Sequence, residues 1–370
     1  MTVIVLLAVF LLAYANGAND NFKGVATLYG SGTASYRASL AWATVTTLGG
    51  SLLALALAAG LVKTFSGKGL VPDGVATSPA FVAATASGAM ATVLLASRLG
   101  LPVSTTHALS GALVGAGLVA AGAAVNFAAL GRSFFLPLVV TPVLAMTLAA
   151  LLYPLARQAR RILGVERDSC VCVGAAPLVR LARGPGAMAL AATLDASVGR
   201  EHACQERYRG AVLGLSAQHA LDGLHFLSAG AVGFARGLND TPKIVALLLV
   251  AGAVGAHTSL GLVGLAMALG GLFGARRVAE TLAHKVTPLD PGQGFVANVT
   301  TAALVLGASH LGMPVSTTHV ATGGLFGIGM VKGTARWRMV ATIGAAWVTT
   351  LPLAALLGAL SCLVLYRVAS

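Results

Sequence analysis

The sequence predicts an all-α polytopic membrane protein: two homologous, inverted repeats with broken helices and re-entrant hairpins, about 10 to 12 membrane segments in all. Three observations carry this. Charge is too scarce to cover a water-facing surface, apolar runs of membrane length recur, and one set of motifs occurs twice in the same order.

Of the 370 residues, 57% are hydrophobic and 9% charged, with a mean hydropathy of +0.86. A soluble domain carries about a quarter charged residues. This excludes an ordinary cytosolic enzyme, a disordered chain and a small disulfide scaffold. Runs such as 40–62 and 351–365 with its flanks favour helices over a barrel. The net charge of +13 is concentrated: nine of the 24 Lys and Arg fall between Arg157 and Arg209, with five of the 11 acidic residues. The positive-inside rule places that segment in the cytoplasm, next to anionic lipid. No nucleic-acid motif accompanies the charge, so nucleic acid is not an expected partner.

Taken in order, the first apolar run ends in Ala13-Tyr14-Ala15, which resembles a cleavage signal. No Lys or Arg precedes it, so it reads as a first membrane helix. Asn16-Gly17-Ala18-Asn19-Asp20-Asn21 interrupts that run. Met90 to Leu99 runs into Gly100-Leu101-Pro102-Val103-Ser104. In the second half Leu227 to Phe234 leads into Arg236-Gly237-Leu238-Asn239-Asp240-Thr241-Pro242. Glycine and asparagine permit unwinding, and Pro242 lacks a backbone donor. Each arm reads as shorter than a spanning helix, hence half-helices meeting near the midplane. Irregular backbone at that depth must be buried or line a cavity.

The duplication is explicit. Leu99 to Gly117 (LGLPVSTTHALSGALVGAG) and Leu311 to Gly329 (LGMPVSTTHVATGGLFGIG) agree at 12 of 19 positions, at an offset of 212. Gly17 to Gly24 (GANDNFKG) and Gly237 to Ile244 (GLNDTPKI) share N-D-x-x-K at an offset of 220. The chain divides accordingly into residues 1–160 (first transmembrane repeat), 161–208 (cytoplasmic basic loop) and 209–370 (second transmembrane repeat).

In P-V-S-T-T-H, Pro stops one arm and Ser104 is placed to cap the next helix, with Thr105 and Thr106 in its first turn. Free N–H groups and hydroxyls there suit an oxyanion. Ser316, Thr317 and Thr318 repeat the arrangement. Two such ends facing one another would surround a tetrahedral anion. A cap-only or helix-packing role is the alternative. Asp20 and Asp240 are the repeated acids in apolar surroundings, where a carboxylate costs about 3 kcal/mol or more. They read as pathway residues, or as partners of Lys23 and Lys243 that only stabilise the breaks.

These doubled motifs resemble the inorganic phosphate transporter (PiT) family, over both halves of the chain. The resemblance implies an inverted-repeat membrane fold, phosphate bound between the halves, and coupling to sodium or protons. It implies that Asp20, Asp240 and the two S-T-T triplets line the substrate and coupling-ion site; Asn21, Lys23, Thr241 and Lys243 are expected with them at the substrate, and Asn19, Lys23, Asn239 and Lys243 at the coupling ion or in its place. A minority of that family carries sulfate. One departure stands out: the family usually has Asn where this chain has Lys23 and Lys243. An ammonium group can occupy the place of a bound cation, so the lysines are expected to replace one or both sodium ions and to favour proton coupling. Snorkelling of the lysines with sodium sites retained is the alternative.

Phosphate near neutral pH keeps a P–OH that an ionised carboxylate can accept; sulfate keeps none. Retention of both acids favours phosphate over sulfate. His107 and His319 read as helix-packing residues, with proton relay as the alternative. Cys170, Cys172, His202 and Cys204 hold the ligand types for tetrahedral zinc at an unusual spacing; reduced thiols are the default, and no metal or other cofactor is expected. His219, Asp222 and His225 read as polar helix contacts. Gly111, Gly115, Gly117, Gly323, Gly324 and Gly327 recur at helical spacing and suggest close helix packing. No nucleotide-binding loop occurs. The expectation is an ion-coupled carrier in the cytoplasmic (inner) membrane, not an enzyme, with an anion channel as the alternative class. A homodimer is compatible with it.

Overall fold

The two copies fold into one helical unit. The structure is a computed structural model, and it describes residues 1–175, 194–200, 202–203 and 213–369. The first copy gives α1 (Thr2–Asp20), the short α2 (Ala26–Gly30), α3 (Tyr36–Leu57), α4 (Pro79–Arg98), α5 (Thr105–Ala121) and α6 (Leu136–Ile162). The second gives α7 (Ala217–Val250), α8 (Ala256–Gly274), α9 (Pro291–His310), α10 (Thr317–Lys332) and α11 (Trp337–Ala369). Among the described residues, ten helices have 16 residues or more, and six helical segments are long and apolar enough to cross a membrane.

Local chemistry sets the breaks. Helices α4 and α10's predecessor α9 both end in a left-handed glycine, Gly100 at φ 69° and Gly312 at φ 67°. Leu101 N–H then donates to Ala96 O, and Met313 N–H to Ala308 O, each at 2.9 Å. This doubled link satisfies the last carbonyls, and the proline that follows cannot continue the helix. Ser104 and Ser316 sit in extended backbone as caps, accepting from the N–H of His107 at 3.1 Å and of His319 at 3.2 Å.

Two expectations are corrected. The arms are not half-helices: α4 and α9 each have 20 residues, about 30 Å of helix. The second break also does not form. The first copy leaves the helix after Asp20 and turns through residues 21–25, whereas α7 runs unbroken through Asn239, Asp240 and Pro242. A proline inside a buried helix is tolerated where neighbouring groups re-satisfy the backbone.

The copies interlock reciprocally through glycine. A Cβ on Gly17 would strike Met267 O and come within 2.9 Å of Gly271 N. The matching contacts, shifted by the repeat offset, appear at Gly237, whose Cβ would strike Thr47 O and approach Ser51 N at 2.8 Å. Gly50 packs on Phe234 O and Leu238 N as Gly270 packs on Tyr14 O and Ala18 N. Gly111 and Gly115 of α5 meet α11 at Leu351 and Ala355, while Gly323 and Gly327 of α10 meet α6 at Pro142 and Met146. Each copy thus lends its last helix to the other's S-T-T helix.

By contact, the chain divides into Met1–Tyr153 with His225–Ser370, and Pro154–Leu224. The second unit holds a small antiparallel sheet that the sequence reads only as polar loop: β1 (Ser169–Ala175) lies between β2 (Leu194–Arg200) and β3 (Leu213–Ser216). Cys172 is disulfide-bonded, which departs from the expected reduced thiol, and Cys170 is a buried free thiol. Cys204, Arg180, Arg183, Arg207 and Arg209 lie outside the described residues. Among the described residues no group of three His, Cys, Asp or Glu is placed to hold a metal.

Candidate functional site

Five charged side chains meet where α1 and α7 face the N-termini of α5 and α10. Asp20, Lys23, Arg236, Asp240 and Lys243 are each at most 4% exposed. Such groups are expensive in a bilayer and persist when they pair or serve a pathway.

The two lysines occupy matching oxygen cages. Lys243 Nζ donates to Val315 O at 2.8 Å and Thr106 Oγ1 at 2.8 Å, and lies 3.3 Å from Asp240 Oδ1. Lys23 Nζ donates to Val103 O at 3.0 Å and also bonds Asp20 Oδ1 and Thr318 Oγ1. Each ammonium therefore takes a carboxylate and a backbone carbonyl from its own copy and a threonine hydroxyl from the other. Thr106 and Thr318 donate onward to Val315 O (3.1 Å) and Val103 O (2.6 Å).

The asparagines brace this arrangement. Asn19 donates to Ser97 Oγ and Leu101 O, both at 3.0 Å, and its Oδ1 accepts from Val103 N–H at 3.1 Å. In the second copy Asn239 donates to Asp240 Oδ1 (3.0 Å) and Val315 O (3.2 Å), and accepts from Ser309 at 3.2 Å. Asn21 donates to Thr44 Oγ1 at 3.0 Å, and Thr241 to Ser51 Oγ at 2.7 Å.

At the centre the symmetry fails in an informative way. Asn16 Nδ2 reaches Asp20 Oδ2 (3.2 Å), Thr105 Oγ1 (3.0 Å) and Asp240 Oδ2 (3.2 Å), joining both carboxylates. Its counterpart at the repeat offset is Arg236. That guanidinium donates to Asn16 Oδ1 at 2.5 Å and Asn21 Oδ1 at 2.9 Å, with Nε 3.7 Å from Asp240 Oδ2. Three cations against two carboxylates leave one net positive charge in a buried site.

The structure brings together Asp20, Lys23, Thr105, Thr106, Asp240, Lys243 and Thr318, as the sequence suggests. Ser104 and Ser316 are buried but spent as caps. Thr317 is buried in the first turn of α10. His107 and His319 pack with ring centroids 4.5 Å apart and planes tilted by 47°, and the Trp347 ring lies 4.0 Å from that of His319. Sequence reasoning gives no role to Asn16, Thr47, Ser97 or Ser309. Asn16 and Arg236 differ between the copies, so a search for repeated residues passes over them.

A model described as the phosphate transporter family matches residues 16–358. A Mycobacterium bovis protein named "Probable low-affinity inorganic phosphate transporter" is 30% identical over 97% of this chain and 76% of its own. A protein of the same name from Rhizobium meliloti is 28% identical over 94% of this chain and 91% of its own. A solved structure described as "The sodium-dependent phosphate transporter" superposes with a TM-score of 0.76 at 22% identity, covering 99% of each chain, which shows a common fold. By the match over nearly its whole length, the chain belongs to the phosphate transporter family.

Proposed function

We propose that the chain is a secondary active transporter of inorganic phosphate in the cytoplasmic membrane. It binds the anion near the bilayer midplane between two oppositely oriented copies, and couples its movement to a proton rather than to sodium. The supporting observation is the pair of oxygen cages filled by Lys23 and Lys243. A carboxylate, a carbonyl and a hydroxyl are hard oxygen ligands of the kind a small cation takes. The tethered ammonium groups supply that charge without a free ion.

Charge balance then argues for the proton. With one net positive charge, a monovalent dihydrogen phosphate brings the site to neutrality. A divalent hydrogen phosphate overshoots by one, and one proton restores the balance. Donors are at hand in the Thr317 hydroxyl and the orphan N–H groups in the first turns of α5 and α10, while the Thr105 hydroxyl donates to Asp20 Oδ2 at 3.3 Å and must turn from it to reach an anion. Asp20 and Asp240 can accept the P–OH proton, which favours phosphate over sulfate. The reciprocal glycine contacts support two copies related by a two-fold axis, and repeats of this kind place substrate at their interface.

Uptake of labelled phosphate into proteoliposomes under an imposed pH gradient, with choline replacing sodium, tests this reading. Saturable uptake, resistant to an equal concentration of sulfate, supports it. Strict sodium dependence defeats the coupling assignment, and preferential loss to sulfate defeats the substrate assignment.

A further inference from the structure

One seam beside the site is polar, and its repeat counterpart is not. On α2, Thr27 lies one turn past Lys23 and exchanges hydrogen bonds with Asn298 of α9, whose Nδ2 donates to Thr27 Oγ1 at 2.9 Å. Asn298 Nδ2 also lies 3.5 Å from Ser228 Oγ on α7. One turn earlier on α7, His225 Nδ1 lies 3.3 Å from Thr33 Oγ1, which bonds Ser31 at 2.8 Å. Thr27, Ser228, His225 and Asn298 are buried, while Ser31 and Thr33 are partly exposed. The row therefore runs from beside Lys23 out to the surface. Gly294 lets the α9 backbone pack directly on this row: a Cβ there would collide with His225 Nε2 and sit 3.1 Å from Thr27 Cβ.

The same places in the other copy are apolar. At the offset of 220, Thr27, Thr33, Ser228 and His225 correspond to Leu247, Ala253, Ala8 and Val5; at 212, Asn298 corresponds to Ala86. Val5, Ala8, Ala86 and Leu247 all belong to one continuous apolar core. Packing alone does not ask for this difference. A buried polar row costs stability unless it is bonded, and apolar residues fill the equivalent space in the sister copy.

We propose that the α2–α7–α9 seam is the passage by which phosphate reaches the site from one face of the membrane, lined by Thr27, Ser228, His225 and Asn298. The counterpart seam is a permanent apolar seal, so the opposite face is reached by another route and the two halves of the transport cycle are inequivalent. This rests on the phosphate reading of the site.

Single cysteines in the full-length chain test it. Thr27→Cys, Asn298→Cys, Leu247→Cys and Ala86→Cys are treated with a cationic methanethiosulfonate reagent in detergent, against the parent chain as background. A cation is strongly disfavoured in an apolar seam, so modification at Thr27 and Asn298 is expected to be at least about tenfold faster than at Leu247 and Ala86. Inorganic phosphate should slow it at the first pair. Asn298→Leu should lower phosphate uptake, whereas Ala86→Ser, nearly the size of the residue it replaces, should not. Modification rates within a factor of about three across the four positions would overturn the passage. Phosphate uptake by the parent chain is measured separately: its failure would count against the substrate assignment, while the labelling asymmetry still decides whether the seam is open to water. Variants that elute as aggregates are replaced by Thr27→Ser and Asn298→Asp, whose uptake should stay closer to the parent's than that of Asn298→Leu; equal loss in all three would also overturn the proposal.

Discussion

Lys243 Nζ donates to Thr106 Oγ1 at 2.8 Å across 137 positions of sequence, tying the second copy's N-D-x-x-K motif to the first copy's helix end. Lys23 makes the matching bond to Thr318. Each lysine thus senses both copies, and any motion of one copy against the other must break or remake these bonds.

Replacing both lysines should change the ionic requirement. Lys23→Asn with Lys243→Asn removes the tethered cations but keeps the oxygen cages. Uptake without sodium should fall about tenfold or more, since each lost buried charge pair is worth well over 1.4 kcal/mol, and sodium should restore part of it. Sodium titration of uptake in the double variant checks this.

Removing one carboxylate should unbalance the site. Asp240→Asn leaves Lys243 and Arg236 without their carboxylate, and breaking a buried pair costs about 3 to 5 kcal/mol. The melting temperature in detergent should fall. Asp240→Asn combined with Lys243→Gln should recover much of the stability but not transport.

Arg236→Asn makes the second copy match Asn16 of the first and lowers the site's charge by one. The KM for phosphate uptake should rise about tenfold, with Arg236→Lys intermediate because charge survives but the forked contacts to Asn16 and Asn21 do not.

Gly17→Val and Gly237→Val should be equivalent lesions. Each places a side chain on backbone of the partner copy, at Met267 and at Thr47. Both variants should lose monodispersity in size-exclusion chromatography, whereas Gly223→Val, with open space around it, should not.

As a member of the phosphate transporter family the chain is a multi-pass membrane transporter and not an enzyme. Much of its site was legible because duplication repeats what function needs. Asp20 and Asp240, the lysines and the S-T-T triplets stand out as pairs, and Ser104 and Ser316 behave as the caps their neighbours suggest. Asn16 and Arg236 escape notice because they break the repeat. The continuity of α7 through Pro242 was illegible, since proline reads as an interruption and the buried partners that tolerate it come from distant helices. The arms α4 and α9 read as short because small and polar residues precede their last apolar run (Thr85, Ser87 and Gly88 in α4; Gln293, Gly294 and Asn298 in α9), and tertiary packing accepts these within a helix.

The most direct test of the central claim is counterflow of labelled phosphate in proteoliposomes wholly free of sodium. Two fixed ammonium groups in place of mobile cations predict saturable exchange at close to the rate seen with sodium present. Exchange that vanishes without sodium, or flux that fails to saturate, would contradict it.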